Sequence, residues 1–208
     1  QTLNWVGRKI NLQQMHPMVA NRPLLVTFLG GTRGSWLVER MAAIKGAGMP
    51  EVDAIAMFEG SDSGHVPPNA AWALRGMTGP DHYATEAERQ VLVARQALLG
   101  RPIATAGAMI PISKTSAWWA LPHDERRAIF EERSHHIANT LAYLPRIARR
   151  LHRGRDIGET FDFVTWFEFA PADSAAFDDL VGMLRATEEW TYVERELDIR
   201  LSRATEIP

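Results

Sequence analysis

Residues 161–169 read FDFVTWFEF, and this alternation limits the fold more than any composition does. In an extended chain Phe161, Phe163, Thr165, Phe167 and Phe169 share one face. Asp162, Val164, Trp166 and Glu168 share the other. A helix would spread these rings around its circumference. The segment is therefore read as a strand whose aromatic face needs a covering layer. A layer comes at once. Phe177, Leu180, Val181 and Leu184 recur at helical spacing, with Asp173 or Ser174 as the cap. Val193, Arg195, Leu197, Ile199 and Leu201 then mark one face of a last strand.

The same plan extends upstream. Residues 103–112 form a largely apolar strand with Pro111 near its end. Pro122, Asp124 and Glu125 open a helix that runs through Ile129, Phe130, His136, Ile137, Leu141 and Leu144. Pro145 is expected to kink or divide it, leaving a second helical piece to about Leu151. The first half is a weaker version of this order. Residues 24–29 are a strand ended by Gly30, Gly31 and Gly34. A short helix is predicted from Ser35, with Trp36, Leu37, Met41 and Ile44 near one face. Residues 53–58 and 70–74 read as strands around a loop at 60–69. Thr85 precedes Glu88 at capping-box spacing, opening a helix to about Leu98.

This order predicts an α+β fold with mostly antiparallel sheets and two ferredoxin-like halves. The expected divisions are an extension at 1–22, a first half at 23–112 and a second at 113–206. No sequence repeat marks the duplication.

Composition narrows the chemistry. The 208 residues contain no cysteine, which removes disulfides, thiolate nucleophiles and cysteine-ligated metals or haem. The 23 basic side chains stand against 25 acidic ones, so charge favours neither nucleic acid nor an anionic membrane as partner. No apolar run is long enough to span a bilayer. The N-terminus shows no signal-peptide pattern, which favours the cytoplasm. The periplasm stays open if a leader has been removed, since the chain starts at Gln1.

Lysine occurs only at Lys9, Lys45 and Lys114. Lys114 stands just before Trp118 and Trp119, a combination that suits a flat ligand with an anionic rim. It equally suits a core aromatic pair with a lysine reaching past it. His136 shares the apolar face of its helix with Thr140, Tyr143 and Ile147, where a ring nitrogen can ligate iron or simply make a hydrogen bond. His135 points about 100° away. Arg149 comes thirteen positions after His136, so the two should not share a helix face unless Pro145 redirects the chain. Arg146, Arg149, Arg150, Arg153 and Arg155 form either a surface patch or part of a site. Glu189 comes after Glu188 at the end of the last helix. It is either solvent-exposed or the carboxylate that orients a ligating histidine.

Three segments together closely resemble the chlorite dismutase family: KTSAWW at 114–119, HIANTLAYL at 136–144 with Arg149, and FVTWFE at 163–168. The resemblance is strong from about Trp72 to Arg203 and weaker back to Pro23; residues 1–22 have no counterpart. It implies haem b in a ferredoxin-like domain. It also implies a homodimer, because the length resembles the short, dimeric branch. By resemblance, His136 is the proximal iron ligand and Glu189 its hydrogen-bonding carboxylate. Arg149 is the distal arginine of chlorite-degrading members, and Lys114, Trp118 and Trp119 belong to the haem pocket. The implied reaction converts the chlorite anion to chloride and dioxygen. The related coproheme decarboxylases lack the distal arginine. Coproheme decarboxylation, peroxidase-like chemistry and non-enzymatic haem carriage or sensing are the alternatives.

Overall fold

A computed structural model describes residues 23–60, 66–79 and 82–205. The expected extension at 1–22 and part of the loop at 60–69 lie outside the described residues. The strands are β1 (Leu25–Gly31), β2 (Trp36–Lys45), β3 (Ala54–Glu59), β4 (Trp72–Met77), β5 (Ala106–Lys114), β6 (Ala148–Arg153), β7 (Phe163–Phe169) and β8 (Val193–Arg203). They close into an antiparallel barrel in the order β1-β3-β2-β8-β5-β7-β6-β4. The helices are α1 (Glu86–Arg95), α2 (Ser116–Ala120), α3 (His123–Arg127), α4 (His136–Leu141), α5 (Ser174–Arg185) and α6 (Glu188–Thr191). A π-helical segment, Ala128–Arg133, continues α3. No helix among the described residues is long and apolar enough to cross a membrane.

The strand order has an internal logic. In β2-β3-β1-β4 and again in β8-β5-β7-β6, the first and third strands of a set lie centrally, with the fourth beside the first. This is the ferredoxin-like arrangement. We propose that each set of four strands is one unit. β5 itself runs across the 112/113 division expected from sequence. The sets join along β2 and β8, from Trp36↔Arg203 to Lys45↔Glu196, and more briefly at Met77↔Arg153 between β4 and β6. They differ in what their connections carry. β1 and β2 are joined by residues 32–35 alone, whereas the β5–β6 and β7–β8 connections carry α2 to α4 and α5 to α6.

Alternation sorts the side chains into two layers. Val164 and Trp166 of β7 point into the barrel, where Trp166 meets Phe28 at 5.5 Å and Trp36 at 5.4 Å between ring centroids. Phe167 and Phe169 point outward under α5 and touch Phe177. Phe161, expected on that outer face, precedes the strand and packs with the barrel interior instead. Val193 joins the outer layer although Leu197, Ile199 and Leu201 point inward, because the β5–β8 register shifts between Ser113 and Lys114. The four apolar residues expected to face inward from α5 are all buried. Asp173 holds the N-cap position, but its side chain makes no cap; it lies 3.7 Å from Arg146. The Thr85–Glu88 capping box is present, and α1 ends at Arg95.

Two expected helices are strands. The chain from Ser35 forms β2, paired with β8. Register shifts between Val38 and Arg40 and between Ala43 and Lys45 interrupt its alternation, which gives the apolar residues their helix-like spacing. The second correction concerns residues 134–151. The helix breaks at His135, which takes a left-handed conformation (φ 50°), well before Pro145. Beyond the proline the chain forms β6, not a helical piece. Its backbone groups find a longer ladder against β7, from Ala148↔Glu168 to Arg153↔Phe163.

His152 lies inside the barrel, fully buried. A Cβ on Gly76 would come within 2.6 Å of the His152 Cβ, so the close approach of β4 and β6 here requires glycine. His152 Nδ1–H donates to the Val164 carbonyl at 3.0 Å, and Arg150 Nε–H donates to His152 Nε2 at 3.1 Å. Both bonds suit a neutral ring. Burial lowers the His152 pKa to about 4, against the Val164 carbonyl and with help from the Arg150 charge. An unfolded histidine titrates near about 6.5. Between about pH 6.5 and 4 the unfolded chain therefore binds a proton that the native ring refuses, and stability falls as pH falls. In urea unfolding across that range, His152→Gln should flatten the slope by up to about 1.4 kcal/mol per pH unit. Parallel slopes in parent and variant would refute a buried neutral ring.

Candidate functional site

The outer face of β5, β7 and β6 and the helices above it enclose a cavity of about 280 Å³. Every second residue of the sheet reaches it. β5 supplies Ile110, Ile112 and Lys114, β6 supplies Arg149, Leu151 and Arg153, and β7 supplies Phe163, Thr165 and Phe167. Leu180, Val181 and Leu184 of α5 close one side of the opposite wall. The lining is mainly apolar with a few convergent polar groups, the usual character of a small-molecule site.

His136 reaches the cavity because the helix breaks before it. The π-helical segment ends at Arg133, and left-handed His135 turns the chain before α4 begins. Glu131 then accepts the backbone N–H groups of Ile137 (2.5 Å) and Ala138 (3.1 Å), completing the start of a six-residue helix. His135 itself is exposed. The His136 ring stacks on Phe130 at 4.4 Å, 20° from parallel, and its Nδ1 lies 2.7 Å from Glu189 Oε2. With Nδ1 engaged, Nε2 is the ring nitrogen left to ligate.

Glu189 is on α6, a separate element from the helix that sequence reasoning extended to it. It is buried, and its Oε1 takes a hydrogen bond from Lys114 Nζ at 2.7 Å. Burial would raise the Glu189 carboxyl, but the charges of Lys114 and His136 and their hydrogen bonds bring it down to about 2. Glu189 is thus an anion at neutral pH, able to fix the His136 tautomer. Lys114 is also buried and lies 4.5 Å from the centroid of the Trp118 ring.

Trp119 closes one flank. Its Nε1–H donates to Asp162 Oδ2 at 3.1 Å, and its ring packs against the guanidiniums of Arg155 (3.9 Å) and Arg126 (5.3 Å). Asp162 also accepts the Lys114 backbone N–H at 2.7 Å and pairs with Arg155 at 3.3 Å. Sequence reasoning assigned no role to Asp162, Phe130, Ser134 or Arg126. Asp162 had a signal, a carboxylate flanked by two phenylalanines at the start of a strand. The others carry no composition signature that sets them apart from their neighbours.

All six residues singled out from sequence line this one cavity: Lys114, Trp118, Trp119, His136, Arg149 and Glu189. Arg149 stands on the sheet wall and His136 on the helical wall. The helical angle between them does not apply, since they belong to different elements. The arginine cluster is divided. Arg149, Arg153 and Arg155 reach the cavity; Arg150 turns to the barrel side and pairs with Glu59; Arg146 is exposed.

The donor set can be tested against haem. Among the described residues no group of three or more His, Asp or Glu side chains could hold a bare metal ion. A lone histidine suits a group that brings its own equatorial ligands. Trp118 lines the cavity, and its buried indole Nε1 has no hydrogen-bond partner among the described residues. The residues fit haem.

Comparison with known proteins agrees. A family model described as chlorite dismutase matches residues 53–205. The chain belongs to the chlorite dismutase family. It is 33% identical over 84 residues to a chlorite dismutase of Ideonella dechloratans. That match covers 40% of this chain and 27% of the relative, so the chain spans about a quarter of that protein. Among solved structures, a dimeric chlorite dismutase of Nitrobacter winogradskyi is 50% identical with a TM-score of 0.79, covering 86% of this chain and 99% of that one. The chlorite dismutase of Candidatus Nitrospira defluvii shares the fold at 19% identity, with a TM-score of 0.59 and coverage of 86% and 90%.

The buried pair makes a stability prediction. Lys114→Met leaves Glu189 buried without its lysine and should cost about 3–5 kcal/mol in urea unfolding. Adding Glu189→Gln should recover much of the loss. Strictly additive losses would show that the two side chains are not coupled.

Proposed function

We propose that this protein binds haem b in the cavity and decomposes chlorite to chloride and dioxygen. The observation that carries this reading is the opposed pair, with a carboxylate-bound His136 on one wall and Arg149 on the other. His136 Nε2 would hold the iron. Lys114, Trp118 and Trp119 would bound the macrocycle. Bound haem supplies an iron that exchanges oxygen atoms with chlorite.

The protein's part is electrostatic and positional. Glu189, held ionised by Lys114, keeps the Nδ1 proton of His136 in place and raises the basicity of the ligating nitrogen. The Arg149 guanidinium is positive at every working pH. It attracts the chlorite anion and retains the chlorine oxyanion until both oxygens have left it. Leu151, on the same face of β6, and Phe167, opposite it on β7, limit water beside it. Retention matters because escaping hypochlorite would attack the protein. The similarity to the dimeric Nitrobacter winogradskyi enzyme supports a homodimer as the working form.

The test is oxygen release from chlorite by haem-loaded protein, with the Soret spectrum recorded in parallel. One dioxygen and one chloride per chlorite are expected. Arg149→Ala should keep haem, lose roughly 10²-fold in turnover and leak hypochlorite to a trapping agent. His136→Ala should lose tight haem binding. A histidine-ligated spectrum without oxygen release would overturn the chlorite reading. Coproheme with peroxide, and haem exchange, would then test the decarboxylase and carrier alternatives.

A further inference from the structure

We infer that Glu196, acting through Trp190, is a positioning residue for the Glu189–His136 pair. The inference rests on the reading of His136 as the residue that holds haem iron. Its starting point is the shortness of α6, four residues that carry Glu189. A helix of one turn does not hold itself together in water, so the position of Glu189 is set from outside.

Three fixings do this. The Glu189 backbone N–H donates to Ser134 Oγ at 3.0 Å. Lys45 Nζ, at the end of β2, donates to the carbonyls of Trp190 (2.9 Å) and Val193 (3.1 Å). The third is buried. The Trp190 indole N–H donates to Glu196 Oε2 at 2.8 Å, and Arg185 Nε–H donates to Glu196 Oε1 at 2.7 Å. Glu196 is wholly inaccessible to solvent. A buried carboxylate is retained only where its charge and lone pairs are met. Arg185 meets the charge and Trp190 the remaining oxygen, so Glu196 is a strong, charge-assisted acceptor aimed at the indole.

Trp190 then links this carboxylate to Glu189 and to its partner Lys114. It is the residue next to Glu189 on α6, and its ring centroid lies 5.6 Å from Lys114 Nζ, which holds Glu189 Oε1. Fixing the indole therefore fixes the α6 backbone and one side of the space Lys114 occupies. Both determine how squarely Glu189 Oε2 meets His136 Nδ1.

Trp190→Phe keeps a ring and removes the N–H. In haem-free, 15N-labelled protein, the His136 Nδ1–H proton should be strongly downfield and slow to exchange. In Trp190→Phe it should move upfield and exchange faster. In haem-loaded protein the same variant should lower the iron–histidine stretching frequency and move the midpoint potential positive. Glu196→Gln keeps an acceptor without the charge, and should give smaller shifts in the same directions. A folded Trp190→Phe with an unchanged His136 proton overturns the inference. If Trp190→Phe does not fold, Glu196→Gln decides: a shifted proton supports it, an unchanged one overturns it. Failure of the parent protein to bind haem would defeat the proposed function, while the haem-free spectra would still decide the positioning role.

Discussion

The carboxylate of Glu189 ties together three segments distant in sequence: the end of β5 through Lys114, the start of α4 through His136, and α6, which carries it. A lone carboxylate in this position would be expensive, because burial opposes its charge. Lys114 reverses the balance, and the anion then holds the imidazole. The order of dependence is clear. Without the ammonium the carboxylate would tend to take up a proton, and without the carboxylate the ring has no fixed tautomer. Phe130 only limits the tilt of the ring.

The site lies on one side of the barrel because the two sets of strands are connected differently. The β1–β2 link is too short to carry a helix, so no crossover helix comes after β1. The long β5–β6 connection carries three helices, and α5 returns over the aromatic face of β7. The interior of the barrel is filled by Phe28, Trp36 and Trp166 and has no room for a ligand of haem size. The cavity that holds His136 and Arg149 forms where helices stand off from the outer face of the sheet. Both sets of strands close the barrel, and the helical connections of the second set cover the face that carries the site.

Most strands were legible because burial on one face leaves a two-residue period, as at residues 161–169, and α5 because its apolar stripe has a single face. β2 was not, since register shifts at Arg40 and Lys45 displace the alternation that identifies a strand. The region 134–151 was misread for another reason. Nothing in the local composition distinguishes a helix that continues from one that turns at a left-handed histidine; tertiary partners decide it. Ser134 Oγ is taken by Glu189 and Glu131 caps α4, and both contacts bridge elements. The six candidate site residues were identified by residue type and family resemblance rather than by geometry. Sequence spacing kept His136 and Arg149 off one helix face, and the structure sets them on opposite walls of the cavity.

That misreading shows what the break achieves. In one continuous helix, Arg149 would project from the same element as His136 and could not face it across a cavity. As part of β6 it faces the helical wall, but only if the strand keeps its register. Arg149 and Arg150 are adjacent, and a slip of one residue would exchange them. The register is held from the side away from the cavity. Arg150 pairs with Glu59, and His152 is bonded to Val164 and packed over Gly76. The neutral histidine in the barrel interior and the arginine in the cavity are therefore parts of one constraint. The packing that selects Arg149 for the cavity is made in the barrel core, by residues that never touch a ligand.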